Sequence, residues 1–165
     1  MQFSEHFDSS EFEMDAPIPA ECVDVAIEFC TLVLEPIRAF IDEPMDITSG
    51  YRPPGANAAT HGALHSEHIW TARHCAADFT FNTSIGRISS IRALFNLIRE
   101  SPSIPFHQVI LEHGASGTSI IHVSYNLDKI GVRQALEGAT HNASPYTSWE
   151  VATYIPTAPG GQENA

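Results

Sequence analysis

Between residues 62 and 81 the chain reads GALHSEHIWTARHCAADFTF, a short span crowded with His65, Glu67, His68, His74, Cys75 and Asp78. Imidazole, thiolate and carboxylate are the donors that Zn²⁺ takes, and a catalytic zinc site uses three of them and leaves a fourth position for water. His65 and His68 have the i,i+3 spacing of one helical turn. His74 and Asp78 have the i,i+4 spacing of one strand face. Further candidates lie outside the span, at His61, His107, His113 and His122. Spacing does not choose among them. A lone histidine is more often a surface or satisfied core residue than a ligand, and only the clustering raises metal binding above that background.

The elements that must position these residues follow from periodicity. Over residues 21–41, Val23, Ala26, Ile27, Cys30, Val33, Leu34, Ile37 and Ile41 recur at helical spacing and predict a long amphipathic helix, with Pro36 as its kink point. EPMDITSGYRPPG predicts a short strand over residues 45–48 that runs into a Gly/Pro loop, and CAADFTF alternates as a strand does. TSIGRISSIRALFNLIRES aligns Ile85, Ile88, Ile91, Leu94, Phe95 and Ile98 on one face of a second helix. FHQVILE and SIIHVSYN, separated by HGASGT, predict an antiparallel hairpin, and GVRQAL a last strand. Residues 1–20, polar and holding Pro17 and Pro19, read as an irregular lead-in. Residues 21–155 then form a single domain, and 156–165 a flexible tail. The fold class is α+β: a small, mostly antiparallel sheet with helices packed on one side.

A chain of 165 residues suits one domain with a real core. Lys and Arg number 8 against 20 Asp and Glu, a formal charge of −12 that argues against nucleic acid and anionic membrane surfaces as partners. No apolar run approaches the roughly 20 residues of a membrane span. The start, MQFSEHFDSSEFEMD, lacks the basic and apolar blocks of a secretory signal. The expected location is therefore cytoplasmic (a host cytoplasm, if phage-encoded) or virion-associated. Three cysteines are too few and too irregular for a disulfide framework. Cys22 and Cys30 read as small buried apolar residues, while Cys75 stays among the candidate ligands. Oligomeric state is not legible.

Taken in order, ITSGYRPPGANAATHGALHSEHIW, AADF, FHQVILE and IIHVSY resemble the zinc D-Ala-D-Ala carboxypeptidase family, peptidase M15, and in particular its small single-domain, phage-endolysin-like members. The likeness covers about residues 3–126. It implies a hedgehog/D-Ala-D-Ala-peptidase-like fold and Zn²⁺ held by His68, Asp78 and His122. It makes Arg52 a clamp for a substrate carboxylate or carbonyl. Ser66 becomes a pocket residue, with a turn cap as the alternative. The implied activity is hydrolysis of peptidoglycan stem-peptide amides next to a D-amino acid, as a carboxypeptidase or an endopeptidase. A metal-binding but non-catalytic module of the same fold is the alternative, and a zinc hydrolase with a substrate outside the wall is a third reading.

The chain departs from the family pattern twice. Nine residues, 69–77, separate His68 from Asp78, longer than the family's usual interval. A loop bulges by a few residues at little cost, but this one brings in His74 and Cys75 as competitors for the metal, His74 as a replacement for His68. Many members also place an acid three residues before the last histidine, where this chain has Ser119, and serine does not take a proton from water at neutral pH. The nearest carboxylate is Glu112, the candidate general base. If Glu112 lies opposite Ile120, then His122 lies opposite Ile110 and the two share a face; a slip of one residue turns Glu112 away. FHQ resembles a family FDQ, which leaves His107 bonded to a metal ligand or facing solvent. His61, His65 and His113 read as surface or rim residues.

Overall fold

The predicted helix over residues 21–41 forms as one continuous run with a wide turn in its middle. This computed structural model describes residues 1–59, 63–84, 86–114, 117–139 and 146–156. The run comprises α1 (Val23–Phe29), a π-helical turn (Cys30–Leu34) and α2 (Glu35–Ile41). Pro36 accounts for the turn. It has no N–H for the carbonyl of Leu32, and its ring would collide with that carbonyl, so the backbone widens just ahead of it instead of kinking sharply. Asp42, at φ 59°, ends the helix in the left-handed conformation. Val25, Ala26, Phe29, Cys30, Val33, Leu34, Ile37 and Ile41 are buried, whereas Ile27 is exposed.

Six strands form one sheet: β1 (Met45–Ser49), β2 (His74–Phe81), β3 (Gln108–His113), β4 (Ser119–Asn126), β5 (Gln134–Ala139) and β6 (Thr147–Trp149), in the order β1-β2-β4-β3-β5-β6. Every pairing is antiparallel except β3 with β5. Strand alternation divides the sheet's two faces. Cys75, Ala77, Phe79, Val109, Leu111, Ile121, Val123 and Tyr125 join the core. α1 lies against β2, and α4 (Ile91–Glu100) lies against β3 and β4. Residues of opposite parity, Asp78, Glu112 and His122, occupy the other face. The α+β expectation, with helices on one side of a mostly antiparallel sheet, describes this architecture.

Three elements differ from their predictions. The second helix begins at Ile91, well inside the periodic stretch, because Ser90 is extended and its Oγ accepts the N–H of Ala93 at 3.1 Å, a side-chain cap that starts the helix there. Ile88 packs on the core from the preceding loop, and Ile85 lies outside the described residues. The Gly/Pro loop after β1 contains a short helix, α3 (Pro54–Ala59), with proline at its first position, where no N–H is needed. The last predicted strand exists as β5, but it runs parallel to β3. β6, which had no strand signal of its own, pairs with it.

Residues 1–19 contain the single 3₁₀ turn Ser9–Glu11, with a capping box from Asp8 and Glu11, and an isolated antiparallel bridge between Gln2 and Asp8. Even so, Phe3, Phe7 and Phe12 are buried in the core. The Phe12 ring lies 5.7 Å from Trp70 between ring centres, so the start of the chain is tied to the loop that carries the candidate ligands. No described helix is long and apolar enough to cross a membrane. The predicted tail lies outside the described residues from 157 onward. Truncating this anchor, Phe12→Ala, is expected to cost about 3–5 kcal/mol of unfolding free energy, read from the urea midpoint. A midpoint equal to wild type would show that the segment is not part of the core.

Candidate metal centre

The site begins with a strand register. β2 and β4 pair so that Asp78 lies directly opposite His122, on the face away from the helices. Residues so opposed bring their side chains together, and Asp78 Oδ1 lies 2.8 Å from His122 Nδ1. The third group comes from the loop between α3 and β2. His68 Nε2 lies 3.1 Å from Asp78 Oδ1 and 3.1 Å from His122 Nδ1. His68 is 4% exposed and His122 8%, so water is a poor substitute for whatever binds them. Among the described residues this is the group of histidine, cysteine and acidic side chains placed to hold a metal ion.

Backbone contacts hold His68 in that position. Its Nδ1–H donates to the carbonyl of Gly50 at 2.8 Å, its own carbonyl accepts the N–H of Arg52 at 2.8 Å, and Ser66 Oγ accepts its N–H at 3.3 Å. Ser66 thus shapes the turn that presents His68. The bond to Gly50 assigns the imidazole tautomer: with the proton on Nδ1, Nε2 is an acceptor in the neutral ring. Two imidazole nitrogens and a carboxylate oxygen therefore converge on one buried point, and their lone pairs repel one another unless a proton or cation lies between them. Two imidazoles and a carboxylate, one ring fixed through its other nitrogen by a carbonyl, are a donor set that fits zinc.

Electrostatics show the same tension. Burial opposes ionisation of Asp78, but the charge and hydrogen bonds of His68 and His122 outweigh it and hold the carboxyl far below the usual carboxylate range. Burial opposes protonation of His122, and the hydrogen bond and charge of Asp78 more than reverse this, raising its pKa. Glu112 lies in the register that places it with His122: it pairs with Ile120, and Ile110 pairs with His122. Burial, and then the negative charge of Asp78, push its carboxyl up. The hydroxyl of Tyr146 donates to Glu112 Oε1 at 3.2 Å.

The competing candidates fall elsewhere. His74 shares the strand face of Asp78, but four residues along a strand are roughly 13 Å. Its Nε2 instead donates to the Ile69 carbonyl at 3.0 Å, and its Nδ1 meets Thr71 Oγ1 at 3.1 Å. Cys75 sits on the core face, fully buried. Its thiol reaches toward the Val25 carbonyl at 3.7 Å, and burial pushes its pKa far up. His65 is exposed, His113 pairs with Glu137 and Ser119 at 2.8 and 3.0 Å, and His61 lies outside the described residues. Arg52 is half-buried, with Nη2 on Ser49 Oγ at 2.8 Å and Nη1 on Asn57 Oδ1 at 3.4 Å. Among the described residues no carboxylate forms an ion pair with it.

His107 corrects the sequence expectation. It neither bonds to one of the three converging groups nor faces solvent: it is buried, with Nδ1 on Glu67 Oε1 at 2.9 Å. Asn126 Nδ2 donates to the same oxygen at 2.9 Å. Burial opposes the Glu67 charge, but His107, Ser124 and Asn126 hold its carboxyl down at about 2. This pins the residue next to His68 onto the sheet. Sequence reasoning gave no role to Glu67, Asn126 or Gly50; Glu67 stood in the crowded span as one more carboxylate, and its partnership with the buried His107 appears only once the strands are paired.

Two outcomes follow. A Cβ at Gly50 would sit 2.6 Å from Phe12 Cα and carbonyl oxygen, so Gly50→Ala must move the carbonyl that holds His68. Metal affinity is expected to fall roughly ten- to hundredfold, measured by competition with a chromophoric chelator; wild-type affinity would rule out the carbonyl as a support. A bound metal must also displace the proton that His122 holds below its raised pKa. Affinity should then fall as pH drops through that pKa and level off above it. Calorimetry in buffers of different ionisation enthalpy should show proton release that grows toward acid pH, and release independent of pH would contradict this.

Comparison with known protein families identifies the family. The model of the family described as Peptidase M15 matches residues 5–97, more than half of the chain and a span that holds Arg52, Ser66, His68 and Asp78. No curated protein matches the chain. His122 and Glu112 lie beyond the matched span and reach the site through strand pairing. The chain belongs to the peptidase M15 family.

Proposed function

We propose that this protein is a zinc-dependent peptidase that hydrolyses stem-peptide amides of peptidoglycan next to a D-amino acid. Membership of the peptidase M15 family supports a metallopeptidase-type function. The observation that carries the finer reading is the convergence of His68 Nε2, Asp78 Oδ1 and His122 Nδ1 on one buried point, on the sheet face that also bears Glu112. The same donor set serves ferrous iron in other folds; membership of the peptidase M15 family favours zinc. The likeness of the SGYR, SEH, AAD and IHVS segments to peptidoglycan peptidases supports a wall substrate.

His68, Asp78 and His122 would hold the ion, and the chemistry it supplies is Lewis-acid activation of water and polarisation of the scissile carbonyl. Glu112 accepts the proton of the attacking water on a carboxylate oxygen and delivers it to the leaving amine nitrogen as the C–N bond breaks. A carboxyl raised toward the working pH suits both transfers. Arg52, held by Ser49 and Asn57 and free of an internal carboxylate among the described residues, binds a terminal carboxylate or stabilises charge on the carbonyl oxygen. Glu112 on the site face favours hydrolysis over a module that only binds metal.

Purified bacterial walls should lose turbidity with the protein, and a chelator should stop the loss. Glu112→Gln should keep its metal while turnover falls roughly 10²–10⁴-fold. Full turnover in that variant removes Glu112 from the mechanism, and turnover unaffected by chelation removes the metal.

A further inference from the structure

The outer edge of the sheet sends one more side chain toward the site. Tyr146 directly precedes β6, whose Thr147 pairs with Glu137 of β5. β5 pairs in parallel with β3 so that Gly138 lies opposite Glu112. The Tyr146 ring occupies the space a side chain at 138 would fill: a Cβ there would sit 2.6 Å from ring Cδ1 and 3.0 Å from Cε1. At the end of that ring the hydroxyl donates to Glu112 Oε1. A bare strand position, a ring crossing it and a hydroxyl on the carboxylate form one unit.

We infer that Tyr146 is a positioning residue for Glu112, its hydroxyl holding Oε1 so that Oε2 is left for the attacking water, and that Gly138 is the position that lets the ring reach it. The inference rests on the reading of Glu112 as the general base. A glutamate on a strand turns about several side-chain bonds, and fixing it before substrate arrives removes an ordering step from the reaction. Among the described residues, the charged and titratable groups that face Glu112 are Asp78 on β2, His122 on β4, His68 on the loop and Tyr146 on the edge. Asp78 repels the Glu112 carboxylate, while the Tyr146 hydroxyl attracts it. Burial and the charge of Glu112 push the phenol up to about 12, so it stays a donor through the neutral range. Tyr146 lies outside the span matched by the family model, as do Glu112 and Gly138.

Tyr146→Phe removes the donor and keeps the ring. On a synthetic stem peptide its kcat is expected to fall roughly ten- to hundredfold, with KM and bound zinc unchanged. In the purified protein the ¹³C-detected titration midpoint of the Glu112 carboxyl should move up, because a donor that favours the ionised form is gone. Gly138→Ala, which displaces the ring, should give the same phenotype, and the double variant should be no worse than either single one. Tyr146→Phe with wild-type kcat and an unmoved midpoint overturns the inference, as do additive losses in the double variant. Glu112→Gln with full turnover would instead overturn the reading of Glu112 as the base, and the titration would still decide whether Tyr146 holds that carboxylate.

Discussion

Three electron-rich atoms are aimed at one dry point by the fold, and their lone pairs repel one another unless a proton or a cation lies between them. His68 Nε2, Asp78 Oδ1 and His122 Nδ1 lie 2.8–3.1 Å apart with little access to water. The low pKa of Asp78 and the raised pKa of His122 have one cause: each group favours the charged form of the other. A proton shared between strand neighbours is one solution and a divalent cation is another. The site's chemistry follows from which of them is there.

What forces the atoms together is backbone. Antiparallel pairing sets Asp78 against His122, and the next pairing sets Glu112 on their face. Both pairings are stabilised by the fully buried residues on the other side of the same strands, so a register slip that disturbed the site would also expose the core. His68 is the costlier placement, because it sits on a loop. It is fixed from three directions: by the Gly50 carbonyl, by the Arg52 N–H, and by the Glu67 carboxylate anchored on His107 and Asn126. Behind Gly50 stands Phe12, close enough that no side chain fits between them. Packing at the start of the chain thus reaches the site through one carbonyl.

The sequence made some of this legible and hid the rest for physical reasons. Strand periodicity located β2, β3 and β4 and gave the face-sharing condition for Glu112 and His122, because local alternation survives folding. The same alternation places Cys75 and Asp78 on opposite faces, which spacing could have used against Cys75. The choice between His68 and His74 was not legible from spacing; it depended on how a loop folds back over the sheet, and only family resemblance pointed to His68. Phe3, Phe7 and Phe12 were masked by polar neighbours in a segment without periodicity. The parallel β3–β5 pairing, β6 and Tyr146 have no local signature, since each is defined by what it meets far along the chain. Pro36 announced an irregularity but not its form, a π turn in place of a kink.

The central claim is that one cation is shared by His68, Asp78 and His122. Diffraction from zinc-soaked crystals, collected on both sides of the zinc absorption edge, tests it most directly. An anomalous peak is expected within bonding distance of His68 Nε2, Asp78 Oδ1 and His122 Nδ1. A zinc peak at His74 or elsewhere, with those three atoms bound to nothing but one another, would contradict it.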